Sequence, residues 1–136
     1  MVFHMKKKRV WLFVLGGVSI AVLAGVLVFT YVIGKMEEGL ESLKSMQIAQ
    51  IDLSQVKDGV YNGSFEQLPL KVEVSVTVRD GQIVGIDLRK HQHGKGQDAE
   101  AIPGKVIAAQ SLQVDLVSGA TYSSIAILKA IENALR

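Results

Sequence analysis

Between residues 10 and 33 the chain reads "VWLFVLGGVSIAVLAGVLVFTYVI", 24 residues with no charge and no polar face. As a helix this run is about 36 Å long, enough to cross a hydrocarbon core of ~30 Å with some tilt. A buried core helix would be shorter and would carry a polar side. Further along, the pattern becomes an alternation. Val72, Val74, Val76 and Val78 fall on one side, and Lys71, Glu73, Ser75, Thr77 and Arg79 on the other. That is a half-buried strand with one wet face. Before it, "VYNGSF" places Tyr61 and Phe65 on one side of a strand with Gly63 between them.

The strand at Val72 runs into Asp80-Gly81 and then "QIVGIDLRK". A two-residue loop would pair Val76 with Gly85 and Val74 with Asp87, which mixes the faces. A three-residue loop, Arg79-Asp80-Gly81, pairs Val76 with Val84, Val74 with Ile86 and Val72 with Leu88. The second register is expected, with Gly81 left-handed in a bulged turn.

The spacing then turns helical. Ile102, Val106 and Ala109 make a narrow stripe on a helix over residues 103–111, with Pro103 in its first turn. Ile125, Leu128, Ile131 and Leu135 line one face of a last helix. Met36, Leu40, Leu43 and Gln47 predict a short stalk helix after the apolar run. Strands followed by helices give an α+β domain: a small antiparallel sheet with helices packed on it, preceded by one N-terminal transmembrane helix. The expected organisation is a cytoplasmic basic segment over 1–9, an anchor over 10–33, a stalk or linker over 34–56 and a compact domain over 57–136.

Charge orients this arrangement. Lys6, Lys7, Lys8 and Arg9 precede the span, whereas beyond it eleven Lys and Arg face thirteen Asp and Glu, a net of −2. The basic cluster places the N-terminus in the cytoplasm and the domain outside it, in a single-pass cell-membrane protein. With the basic charge off the folded part, nucleic-acid binding gains no support. A cleaved signal peptide would carry an apolar stretch of about 7–15 residues ending in a small-x-small site. This run is longer and leads through Thr30-Tyr31-Val32-Ile33 into Gly34-Lys35, so an uncleaved anchor is expected. "MKKKRVW" also makes Met5 a candidate initiator. The absence of cysteine removes disulfides, thiolate nucleophiles, iron–sulfur ligation and C-x-x-C-H haem attachment. Electron handling would need an organic cofactor.

The candidate chemistry lies in "SGATYSS", residues 118–124, four Ser and Thr hydroxyls with Tyr122 among them, just ahead of the last helix. The plain reading is a helix start, with Thr121 or Ser123 as the cap and the other hydroxyls in water. A helix N-terminus is also an anion site, where free N–H groups and the dipole favour a phosphate. Gly119 and Ala120 allow close backbone approach. Up to this point the residues specify no ligand.

"DLVSGATYSS" resembles the flavinylation motif of the FMN-binding domain family, which includes the covalent-FMN subunits of sodium-pumping NADH:quinone reductases and Rnf complexes. The pattern is an Asp, two residues, Ser or Thr, then Gly-Ala-Thr or Gly-Ala-Ser; Asp115, Ser118, Gly119, Ala120 and Thr121 match it. "DGVYNGSF", "VSVTVRDGQIVGIDL", "GKGQDAEAI" and "AQSLQVD" extend the resemblance over residues 57–136. It implies FMN esterified through its phosphate to Thr121 by a separate flavin transferase, with Tyr122, Ser123 and Ser124 beside the attachment. It also implies that His91, Gly94, Lys95 and Gly96 border the flavin. Two readings stay open for each of two residues: Lys95 stabilises anionic flavin or phosphate or is a solvated lysine, and Tyr122 lies beside the ring system or covers the helix start. The H-x-H of His91 and His93 has no third ligand nearby in sequence, so no metal is expected. The large pump and Rnf subunits carry longer inserted segments that are absent here, which favours a simple anchored carrier.

The expected function is therefore a membrane-anchored flavoprotein passing electrons between membrane or extracytoplasmic redox proteins. Two alternatives stay open: a flavin-dependent reductase of a small external substrate, with His91 as its fair general acid, and a module binding another phosphate ligand.

Overall fold

A computed structural model of the chain describes residues 2–92 and 96–136, with side chains from residue 8 onward. It divides into two compact units, one up to Glu37 and one over Glu38–Arg136. Helix α1, Val2–Lys44, contains the apolar run. From residue 8 to residue 33 every side chain is exposed, so no protein core accounts for this helix. Its length and composition fit a membrane span or a signal sequence alike. Its hydroxyls turn inward: Ser19 Oγ donates to Leu15 O at 2.9 Å and Thr30 Oγ1 to Leu27 O at 3.0 Å. Both are thereby satisfied without water, as a hydrocarbon surrounding demands.

The second unit is α+β, as the pattern predicts. Strands β1 (Gly59–Gln67), β2 (Leu70–Arg79) and β3 (Gln82–Gln92) form an antiparallel meander in the order β1-β2-β3. Helix α3 (Thr121–Leu135) packs on β1 and β2, and helix α2 (Ile102–Ala109) on β3. A 3₁₀ turn, Gln97–Ala101, leads into α2. Leu70, Val72, Val74, Val76 and Val78 point into the core and are buried. Each valine so placed contributes about 1.5–3 kcal/mol of hydrophobic stabilisation.

The expected hairpin register is corrected. Asp80 (φ 51°) and Gly81 (φ 71°) are both left-handed and make a two-residue turn, the primed geometry that Asp-Gly favours. Arg79 pairs with Gln82 and Val78 with Ile83; Val76 pairs with Ile86, Val74 with Leu88 and Val72 with His91. The faces do not mix because β3 carries an extra residue at each of two irregularities, opposite Thr77/Val78 and Glu73/Val74. The turn puts Ile83, 2% exposed, opposite Val78; the first irregularity then sets Ile86 opposite Val76, where Val84 was expected, and leaves Val84 50% exposed. The second brings His91 rather than Lys90 opposite the buried Val72. Bulges do here what the turn length was expected to do.

The α2 stripe is also shifted: Ile102, Pro103 and Val106 are buried, but Ala109 is exposed. The helix ends at Gln110, which is left-handed (φ 49°). Its amide accepts from Ile83 N and donates to Ile83 O, both at 2.8 Å. A side chain thus covers backbone groups of an edge strand.

Helix α3 is buried on more than the one face its spacing predicts, because Ile127 and Glu132 are buried together with Ile125, Leu128, Ile131 and Leu135. The sheet covers one side. The segment after α1 contacts the other, where Ala49 N donates to Glu132 Oε2 at 3.0 Å and Lys129 Nζ to Gln47 O at 2.9 Å. Lys129 Nζ also meets Glu132 at 2.9 Å, and Arg136 Nη1 lies 3.3 Å from it. Burial pushes the Glu132 carboxyl up. The Ala49 N–H and the two cations outweigh that and hold its pKa below the ordinary value.

Against the sheet, α3 comes so close to β1 that a Cβ on Gly63 would collide with Ala130 O and lie 2.6 Å from Ala134 N. Gly63 is therefore a packing glycine, matched by Ala130 and Ala134 one helical turn apart.

Two predictions follow from this packing. Gly63→Ala forces helix and strand apart and should destabilise the domain by about 1–3 kcal/mol, the usual cost of overpacking; urea unfolding of the full chain in detergent measures it. Glu132→Gln should cost about 1.5–3 kcal/mol near pH 7, the worth of hydrogen bonds to a charged group. A depressed folded pKa stabilises above the unfolded value and ceases to do so as pH falls through the folded one. The difference between wild type and variant should therefore shrink below about pH 4.3, the unfolded carboxylate value. A constant difference from pH 7 to pH 3 would contradict the ionised assignment.

Candidate functional site

The four Ser and Thr hydroxyls of residues 118–124 have different surroundings. Ala120 N donates to Val117 O at 3.0 Å and closes a turn whose third residue, Gly119, has φ 80°. Glycine suits that conformation, because a Cβ there is strained even where space is free. Space is indeed free: a Cβ on Gly119 would meet no atom within 4 Å.

The expected hydroxyl cap is corrected. Ala120 occupies the N-cap position, no side chain caps α3, and the helix starts at Thr121. Ser124 works one turn further in, fully buried. Its Oγ accepts from Val117 N at 3.1 Å and donates to Ala120 O at 2.8 Å, tying the turn to the helix. Ser123 is buried, Ser118 is exposed, and Thr121 is half-buried. The first helical bond is Ser124 N to Ala120 O at 2.9 Å. The N–H groups of Thr121, Tyr122 and Ser123 precede it, and no acidic residue lies in that first turn.

Neighbouring elements hold this segment on two sides. Tyr122 Oη donates to Glu41 Oε1 at 2.8 Å, and Lys44 Nζ bonds the same oxygen at 2.9 Å. The Lys44 ammonium also stands 5.3 Å from the Tyr122 ring centroid. From α2, Lys105 Nζ donates to Asp115 O at 3.2 Å, while the Asp115 side chain is exposed. None of Glu41, Lys44 and Lys105 stands out in the sequence. Glu41 and Lys44 have the spacing of an ordinary helical ion pair, and nothing local shows that Tyr122 meets them.

His91 belongs to a second cluster. The bulge before it turns its side chain inward, 3% exposed, with Nδ1 3.4 Å from Glu100 Oε1. Gly96 is buried and opens the 3₁₀ turn that carries Glu100. That turn packs on α3 and so joins the two clusters through the fold. His93, Gly94 and Lys95, the latter two expected beside the flavin, lie outside the described residues.

A phosphate ester suits the α3 start. It is uncapped, has no acidic residue in its own first turn and is open beside Gly119, so a phosphate would find donors there, and the Glu41 carboxylate at Tyr122 is paired with Lys44. Thr121 would carry such a group, with the first-turn N–H groups as its partners.

Comparison with known proteins identifies the cofactor. The sequence model of the FMN-binding domain matches residues 68–136, from the β1–β2 turn through α3. An uncharacterized protein of Treponema pallidum (strain Nichols) is 34% identical over 86 residues, 61% of this chain and 24% of that protein. An NADH:acrylate oxidoreductase of Vibrio harveyi is 30% identical over 105 residues, 74% of this chain and 10% of that enzyme. The chain thus corresponds to a minor part of either relative's length. With β2, β3, both domain helices and the hydroxyl-rich turn inside the matched region, the chain belongs to the FMN-binding domain family as a flavin-binding redox protein whose cofactor is FMN.

Proposed function

We propose that the protein is a membrane-anchored, extracytoplasmic electron carrier with FMN esterified to Thr121. The observation that carries this reading is the placement of Thr121, the first residue of an uncapped helix behind an open glycine turn. The family match supports the cofactor. The apolar run of α1, with Lys6, Lys7, Lys8 and Arg9 before it, supports a cytoplasmic N-terminus and an external domain.

Bound FMN can take up two electrons and release them singly, so it couples unlike partners. The chain's own part is to hold it. Direct condensation of FMN with a hydroxyl expels water and is uphill in an aqueous compartment. A flavin dinucleotide is an activated donor. Transfer from it to Thr121 would make the Oγ–phosphorus bond at the expense of the pyrophosphate bond, with AMP leaving and the hydroxyl proton passing to a base of the flavin transferase. Ser124 keeps the preceding turn closed meanwhile. Electron donor and acceptor would be other proteins at the membrane. The Vibrio harveyi relative, an oxidoreductase matched over a tenth of its length, is consistent with this fold serving as one part of a longer electron path.

Thr121→Val keeps the shape of the side chain and removes the nucleophilic oxygen. Co-expressed with a flavin transferase, wild type should keep flavin fluorescence through denaturing electrophoresis. Thr121→Val should be folded and dark, and Thr121→Ser partly labelled. Fluorescence surviving in Thr121→Val would contradict the assignment.

A further inference from the structure

The first turn of α3 lacks a side-chain cap, and an uncapped helix end frays. Fraying would spread the Thr121 hydroxyl over many orientations, although group transfer needs it in one. Ser124 fixes the turn from behind but leaves the side chains of Thr121 and Tyr122 to their own contacts. Tyr122 reaches out of the turn. Its hydroxyl meets Glu41 at 2.8 Å, Lys44 holds that carboxylate at 2.9 Å, and the Lys44 ammonium stands 5.3 Å from the ring centroid. One carboxylate thus accepts from both the phenol and the ammonium, and the ring is held at its tip and near its face. Leu43, fully buried in the same helical turn, keeps Glu41 and Lys44 in place.

We infer that Glu41 and Lys44 are positioning residues for flavin attachment, acting through Tyr122 to hold the first turn of α3 and so to present Thr121 Oγ to the flavin transferase. The inference rests on the reading of Thr121 as the attachment site. It makes residues 41–44, which lie ahead of the region matched by the family model, part of the acceptor. Glu41 and Lys44 have side chains 64% and 53% exposed, and exposed pairs add little to global stability. The effect of the clamp is therefore local.

The test uses the full chain in detergent, a flavin transferase and a flavin dinucleotide, and follows the initial labelling rate, the thermal midpoint and amide exchange at residues 124–126, the first N–H groups bonded within α3. Glu41→Ala and Tyr122→Phe should each slow labelling by roughly three- to tenfold, the range of an ordinary net hydrogen bond, because this carboxylate is exposed and screened. The double variant should be no slower than the singles, because both remove one contact. Glu41→Gln should recover most of the rate, since its amide oxygen still accepts from Tyr122. Exchange at residues 124–126 should quicken in Glu41→Ala with the thermal midpoint unchanged. Labelling of Glu41→Ala at the wild-type rate, with Thr121→Val unlabelled, overturns the positioning role and leaves the attachment site standing. A slower rate matched by an equal loss of thermal stability overturns it too. Wild type that takes no label at all overturns the attachment site, and the inference with it.

Discussion

Gly63 lies where α3 crosses β1, and with no side chain between them the Ala130 carbonyl and the Ala134 amide rest against the strand. That approach fixes how far α3 can slide or rotate on the sheet. The valines of β2 fill the remaining space, and Glu132 holds the segment after α1 against the far side of the helix. Once the helix is fixed at Ala130 and Ala134, its start is fixed as well. Thr121 must emerge at the edge of the core behind the turn of residues 117–120. The location of the site is thus a consequence of helix–strand packing some three turns away.

The Ser and Thr hydroxyls at the start of α3 have separate surroundings. Ser124 is consumed internally, bridging Val117 and Ala120. Ser123 is buried, Ser118 faces solvent, and Thr121 sits between these extremes. Attraction between a phosphate and an exposed helix start is worth only about 0.3–1 kcal/mol. In the proposed extracytoplasmic setting, where a lost flavin could not be recovered, that is too little to retain a cofactor. The proposed ester on Thr121, a residue already held by its helix, would remove the dissociation problem and leave the N–H groups to orient the phosphate.

Much of this was legible in the sequence, for stated physical reasons. The alternation of Val72, Val74, Val76 and Val78 reports a strand with one buried face, and the spacing of Ile125, Leu128, Ile131 and Leu135 reports a helix. Asp80-Gly81 marks the turn. The two extra residues in β3 have no local signature, because bulges form where inward packing of Ile83 and His91 outweighs an even ladder. That is why the expected pairing of Val72 with Leu88 differs from the observed one. Glu132 looks like a solvated residue until Ala49, Lys129 and Arg136 are seen around it. Gln110 gives no sign of its left-handed backbone, which its two bonds to Ile83 sustain. At the site, the motif itself was readable, but Tyr122 meeting Glu41 across 81 positions of sequence is a tertiary fact.

Trypsin should release residues 106–129 as one peptide, since no Lys or Arg lies between Lys105 and Lys129. Fragmentation mass spectrometry of that peptide, from protein purified out of its native membrane and denatured, addresses the central claim directly. The account predicts an FMN phosphodiester increment located on Thr121. An increment on Ser118, Ser123 or Ser124, or a peptide of unmodified mass, would contradict it.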